Sequence, residues 1–190
     1  MTFRVLAIPG SLRKASHNRA LLRAAIELAP AGMTIEIFEG IGALPLYDAD
    51  VEAAGDPAPV TAWKTAIAKA DALLIATPEY NYGVPGALKN AVDWASRPPG
   101  NCVLNGKPAA LMGASPGGQG TARAQLALRQ SFVFTDTRTL LQPEVLVPRV
   151  HEKIDKDGRL TDEPTRKAIR KLLDALADWV PRVAAPRVAG

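Results

Sequence analysis

Short aliphatic runs alternate with amphipathic stretches along the whole 190-residue chain. Phe3–Ile8 (FRVLAI), Met33–Phe38 (MTIEIF), Asp71–Thr77 and Lys107–Ala114 have the length and β-branched or aliphatic content of strands, and Leu140–Val147 supplies a fifth, interrupted by Pro143. A proline lacks the N–H that a central strand must donate, so this last strand is expected at the sheet edge. Between the runs, apolar residues recur at helical spacing: Leu21, Ala24, Ala25 and Leu28; Trp63, Ile67 and Ala70 within 60–70; the stretch from Pro85 to Trp94; Ala122, Leu126, Arg129 and Val133; and Ile169, Leu172, Leu173, Leu176 and Val180. Residues 51–59 read as loop, Thr161-Asp162-Glu163-Pro164 as the cap of the last helix, and 181–190 as a frayed tail. Strictly alternating strands and helices with no internal repeat or long linker predict one domain over 1–190, a doubly wound α/β sheet of about five parallel strands.

Composition narrows the function. Hydrophobic residues make up 47% and charged residues 22%, ordinary for a globular chain. Nothing approaches the ~18 apolar residues of a membrane span, and the chain opens directly on a strand pattern, so the expected compartment is the cytoplasm and no membrane partner is expected. One cysteine, Cys102, and two histidines, His17 and His151, provide neither a disulfide nor a Cys/His metal cluster; no metal is expected, and redox chemistry would need a cofactor. Asp48 and Asp50 lack a third ligand and read as turn residues. The net charge of +4 invites a nucleic-acid reading. Against it, the C-terminal cations are interleaved with acids as on a solvated helix face, and no nucleic-acid motif accompanies them.

Three loops carry candidate chemistry. Gly10–Asn18 (GSLRKASHN) puts Ser11, Ser16, Asn18, Arg13 and Lys14 just before a helix N-terminus, a composition suited to phosphate; it is equally that of an N-cap with solvated cations. His17 reads as solvent-facing. Pro78–Pro85 holds Glu79, Tyr80, Asn81 and Tyr82 between two prolines, stiff enough to flank a planar heteroaromatic ligand, or simply a surface loop. Ser115–Gly120 (SPGGQG) lets backbone approach a ligand, or is a flexible turn. Each loop is ambiguous alone, but they follow strands one, three and four, so a parallel sheet gathers all three at its carboxyl edge, where ligands of such sheets bind. Neither GxxxxGK[ST] nor GxGxxG occurs, which disfavours a nucleoside triphosphate or a Rossmann-bound dinucleotide. A phosphate end and a planar end without those fingerprints suggest flavin mononucleotide, FMN.

On GSLRKASHN at 10–18 and PEYNYGVPGALKNAVDW at 78–94, supported by LPLYDAD at 44–50, the Gly-rich turn at 115–120 and LRQ at 128–130, the chain resembles the NADPH-dependent FMN reductases, and among them the bacterial chromate and quinone reductases. The similarity covers most of the chain. It implies a flavodoxin-like five-stranded parallel sheet with helices on both faces, tightly bound FMN, and a homodimer or homotetramer to whose interface the Pro85–Trp94 helix contributes. Carried onto matching positions, Ser11, Arg13, Ser16 and Asn18 hold the FMN phosphate. Pro78, Glu79, Tyr80 and Asn81 line the isoalloxazine, largely through backbone groups and the tyrosine ring, and Ser115 and Gly117 close its other side. The implied reaction is two-electron, ping-pong transfer from NADPH or NADH to a small-molecule acceptor: a quinone, or chromate, an azo compound or free flavin. No side chain serves as acid or base, and Arg97 belongs to a basic rim for anionic substrates. A flavodoxin-type electron carrier and a non-enzymatic receiver domain are the competing readings. The basic charge argues against the first, and the loop position of Asp48 and Asp50 against the second.

Overall fold

In the computed structural model, which describes residues 2–183, the strands assemble into one all-parallel sheet in the order β2-β1-β3-β4-β5. β1 (Phe3–Pro9), β3 (Ala72–Ala76) and β4 (Pro108–Ala114) form its centre and β2 (Met33–Ile37) one edge. The central strands are apolar on both faces, as burial on both sides demands. Val5, Ala7, Leu74 and Met112 pack beneath α1 (His17–Glu27) and α6 (Glu163–Val183), while Leu6, Ile8, Leu73 and Leu111 pack beneath α3 (Ala58–Lys69), α4 (Gly86–Ala95) and α5 (Ala122–Phe134). Trp63 and Trp94 are the largest fully buried side chains, and each indole N–H finds a carbonyl, of Ala91 at 2.7 Å and of Pro45 at 2.8 Å. That arrangement makes both tryptophans core residues with a satisfied polar end.

The fifth strand is split. β5 (Arg138–Thr139) pairs with Pro108 and Ala109 at the start of β4, and β6 (Val145–Val147) pairs with Met112, Gly113 and Ala114 at its end. The Leu140 N–H still bonds the Ala109 carbonyl at 2.7 Å, and residues 141–144, with Pro143, then leave the ladder, so the interruption read from the proline is real and lies at the edge opposite β2.

Three local expectations change. Residues 49–53 form α2 (Ala49–Ala53) instead of loop, capped by the Asp48 side chain, which accepts the Asp50 N–H at 2.8 Å. α5 is rotated from its expected phase: Ala124, Gln125, Leu128 and Phe132 face inward, and Leu126 and Val133 stand 61% and 81% exposed. The expected frayed tail begins too early, since α6 continues to Val183; residues 184–190 lie outside the described chain.

Candidate functional site

The carboxyl ends of β1, β3 and β4 continue their ladder by one residue each, through Gly10 N–H to Ala76 O at 2.8 Å, Thr77 N–H to Met112 O at 3.0 Å and Ser115 N–H to Val147 O at 3.0 Å. The three candidate loops therefore leave the sheet side by side. Gly10 crosses there under tight constraint: a Cβ would meet Leu88, Pro78 and Thr77 at 3.0–3.1 Å. The strand order reverses between β1 and β3, so the loops flank the switch point where doubly wound sheets hold ligands.

A cavity of about 190 Å³ is lined by all three loops, with Ser11, Arg13, Ser16, His17 and Asn18 on one side and Pro78, Tyr80, Ala114 and Pro116 on the other. Ser11 is buried and its hydroxyl bonds the Tyr80 hydroxyl at 3.2 Å, joining the first and second loops. Asn18 is buried too, and its amide is committed to Ala114 in both directions, donating to the carbonyl at 3.0 Å and accepting the N–H at 2.9 Å. It braces the helix start against β4 and keeps one N–H in hand. The Arg13 guanidinium is parked on the Ala15 carbonyl at 2.8 Å.

Ser16 is the odd member: the residue is only 4% exposed, yet its hydroxyl has no hydrogen-bond partner among the described residues and does not cap α1. The hydroxyl is not a buried orphan; it opens to the cavity and is available to a ligand there. The first-turn N–H groups of α1 open onto the same cavity, and the positive end of the helix dipole lies there. His17 is half-buried and lines this cavity, and burial first, then the Arg13 guanidinium and His151, pull its imidazole below the usual histidine range. The field at this spot is positive.

A second compartment of about 340 Å³ adjoins, between Glu79, Asn81 and Tyr82 on one wall and Ser115, Gly117, Gly118, Gln119, Gly120 and Arg123 on the other. Its first wall is a tight hairpin turn. Tyr80 and Gly83 exchange backbone hydrogen bonds at 3.2 and 2.9 Å, and both central residues, Asn81 (φ 50°) and Tyr82 (φ 65°), sit in the left-handed region. Such a turn normally recruits glycine or asparagine, so Tyr82 is held there at a cost. Arg123 helps to hold it, its guanidinium lying 3.7 Å from the centre of the Tyr82 ring.

Glu79 lines the ring compartment, and its side chain is engaged with α5. The carboxylate accepts the backbone N–H groups of Arg123 at 3.0 Å and Ala124 at 3.2 Å and lies 3.5 Å from the Arg123 guanidinium. It thus caps α5 from another loop and ties the two walls together. Ser115 accepts the Gly117 N–H at 3.1 Å, fixing the turn, while among the described residues the N–H groups of Asn81, Tyr82, Gly118 and Gln119 have no partner. These are donors of the kind that the edge of a heteroaromatic ring accepts.

Arg97 lies elsewhere. It pairs with Glu52 at 2.9 Å and stacks on Tyr47, so the expected basic rim does not include it. A larger groove of about 390 Å³ runs past Arg4, Glu36 and Lys69 near the amino ends of the strands, its rim occupied by the Arg4–Glu36 ion pair. It shares no residue with the three loops. Arg123 escaped the sequence reading; the available signal was an arginine at the start of the helix that the Gly-rich turn launches.

FMN fits the pair of compartments on these observations: a hydroxyl free to bond a ligand, the α1 N-terminus and Arg13 at one end, and a walled slot with unpaired backbone N–H groups at the other. The sequence model of one family, NADPH-dependent FMN reductase, matches residues 3–152. An NAD(P)H-dependent FMN reductase of Pseudomonas aeruginosa is 51% identical over 180 residues, covering 95% of this chain and 96% of that one. A 2-hydroxy-1,4-benzoquinone reductase of Burkholderia sp. is 43% identical, with coverages of 95% and 97%. Among solved structures, the flavoenzyme NAD(P)H:(acceptor) oxidoreductase FerB of Paracoccus denitrificans superposes with a TM-score of 0.87 at 38% identity, over 97% of this chain and all of that one.

Proposed function

The chain belongs to the NADPH-dependent FMN reductase family, and from that premise we propose that it passes two electrons from NADPH or NADH to a quinone by way of FMN held in the two compartments. The observation that carries the assignment is the cavity beside the α1 N-terminus, onto which the Ser16 hydroxyl opens with no hydrogen-bond partner among the described residues and beside which Arg13 keeps most of its fork free. A phosphate oxygen supplies the missing partner. Arg13 swings from the Ala15 carbonyl to the same group, Ser11 completes the contact, and Asn18 contributes its remaining N–H while bracing α1. At the other end Pro78, Tyr80 and Asn81 form one face of the ring slot, with Ser115 and Gly117 opposite and the backbone N–H groups of the two turns directed at the ring edge. Glu79 serves by holding the slot at its width. When bound, FMN supplies the hydride acceptance and release, with donor and acceptor using the same face in turn. The residues themselves orient the reactants and place donors where negative charge grows. The carboxylate nearest the slot, Glu79, is committed to capping α5, so the proton that accompanies reduction is drawn from water.

Quinones are favoured as acceptors because the Burkholderia relative and a 41%-identical relative in Escherichia coli are both named as reductases of quinones, which also favours an enzyme over an electron carrier. Chromate, azo compounds and free flavin have no comparable support. The reading treats residues 1–190 as a single flavodoxin-like FMN-binding domain. Because the enzyme draws on NAD(P)H, its expected compartment is the cytoplasm, and no described helix is long and apolar enough to cross a membrane. It further includes self-association. α4 presents polar or small residues outward, including the Lys89–Asp93 pair, whereas α5 and the segment after it expose Leu126, Val133, Phe134 and Leu141. A second copy meeting this face through a two-fold axis would cover it on both sides at once.

The test is direct. The purified protein should be yellow, or become so on adding FMN, and bleach under anaerobic conditions on mixing with NADPH or NADH, with colour returning on adding a quinone. A colourless protein that stays so with FMN refutes the assignment, and a yellow one that neither nucleotide bleaches is a carrier instead.

A further inference from the structure

The first loop has two sides. Ser16 and His17 line the phosphate compartment and also a second cavity of about 200 Å³ on their outer side, bounded by Ala20 and Arg23 of α1 and by Asp155, Lys156 and Gly158 of a hairpin. That hairpin is well braced: Ile154 bridges Leu160, and Asp155 accepts the N–H groups of Asp157 and Arg159, both at 2.9 Å. One oxygen of its carboxylate, Oδ1, is thereby committed within its own loop. Arg23 and Lys156 face the cavity with His17, and their two positive charges outweigh the one negative charge of Asp155 on the same wall.

The arginines here are paired differently from most others. Arg4, Arg19, Arg97, Arg123, Arg138 and Arg166 each have a carboxylate within 4.0 Å. Arg13 and Arg23 have none among the described residues; each donates to a single carbonyl, Ala15 at 2.8 Å and Gly158 at 2.9 Å. A guanidinium has five N–H donors in a rigid fork, so one carbonyl orients it and leaves the rest of the fork free. The partnerless hydroxyl of Ser16 stands between the two cavities. Three compartments thus run in sequence along the carboxyl edge of the sheet: ring slot, phosphate pocket and outer cavity.

We propose that the outer cavity is a second anion subsite, which receives the 2′-phosphate of NADPH and so distinguishes it from NADH. The proposal rests on the reductase reading above. A nicotinamide stacked on the open face of the bound flavin, with its pyrophosphate outside the FMN phosphate along the same line, leads its adenosine ribose past His17 toward Arg23 and Lys156. Of the two donors only NADPH carries a phosphate there, and Arg23 can meet it with two parallel N–H groups.

The FMN-loaded protein is titrated calorimetrically with adenosine 2′,5′-bisphosphate, adenosine 5′-monophosphate and inorganic phosphate. The bisphosphate should bind at least about tenfold more tightly than either of the others. R23Q and K156Q, both at exposed positions, should each cut that preference several-fold with flavin content and far-UV dichroism unchanged. In turnover, KM for NADPH should rise with NADH kinetics and kcat unaltered. Unchanged bisphosphate affinity in the R23Q/K156Q double variant overturns the subsite, as does equally tight binding of inorganic phosphate. A protein that holds FMN but is reduced by neither nucleotide refutes the reductase reading instead, while the titration still decides the subsite.

Discussion

Arg13 and Ser16 serve the phosphate pocket by different physics, and their substitution should separate the two. Arg13→Ala removes a charge-assisted donor worth about 1.5–3 kcal/mol to a bound anion, so FMN should dissociate roughly 10–150-fold more readily, read from visible absorbance after dialysis. Ser16→Ala removes a hydroxyl that the chain itself leaves unbonded, so the FMN-free protein should melt at the same temperature or slightly higher while its FMN affinity falls. Tyr82 sets two small effects against each other. Glycine there relieves a left-handed tyrosine, about 1–2 kcal/mol, but forfeits the Arg123 stack, ~0.5–1 kcal/mol, and adds ~0.5–1 kcal/mol of unfolded-chain entropy. Tyr82→Gly is therefore expected to be nearly neutral in thermal melting. The chemistry of these positions was legible in the chain because Ser, Arg and Asn before a helix start suit an anion regardless of context. Their partners were not: Asn18 is locked to Ala114, 96 residues away, and no local pattern encodes that contact. The place of His17 on the cavity wall was not legible for the same reason, since that cavity is half built by loops remote in sequence.

Helices show where pattern reading succeeds and where it slips. α6 is strongly amphipathic, and Ile169, Leu172, Leu173 and Leu176 are buried as their spacing requires. α5 has apolar residues on both faces, and its inward face includes Gln125, whose Nε2 donates to Val145 O at 3.1 Å. A polar residue inside and leucine, valine and phenylalanine outside shift the apparent phase, which is how Ala122, Leu126, Arg129 and Val133 came to look like the core side. The start of α5 hangs on Glu79. Glu79→Ala should cost about 1–2 kcal/mol of cap and pair, lowering Tm by roughly 2–8 °C, and should loosen the ring slot so that bound flavin becomes more accessible to collisional quenchers. At α6, the Thr165 hydroxyl first and then Lys153 hold Asp162 below its ordinary 3.8. A depressed carboxyl contributes stability that is whole above the unfolded value and is lost as pH falls below 3.8 through the folded one. Asp162→Asn should therefore lower Tm near neutrality and narrow the gap between wild type and variant in acid.

The whole molecule is a sheet whose two faces were readable from the chain, because continuous apolar runs mean burial on both sides and alternation with helices means parallel crossovers. Convergence of the three loops followed from that topology alone. The division of the site into ring slot, phosphate pocket and outer cavity did not, since it depends on the 150–160 hairpin folding back over α1. Assembly is a property of this scale as well. Val133→Asp together with Phe134→Asp should shift the protein toward monomer in light scattering, with the FMN-free chain still folded; an unchanged mass would show that the exposed α5 face is not what joins the copies. One detail of the sheet bears on how such copies can meet. The rim formed by β5 and β6 offers a short ladder that ends at Leu140, a break over 141–144 with a proline in it, and then three more residues. An unbroken rim would present a template on which another chain could lay a strand and extend the sheet without limit. This one cannot, so crowding of the enzyme should favour closed contacts through helices and not growth into fibres.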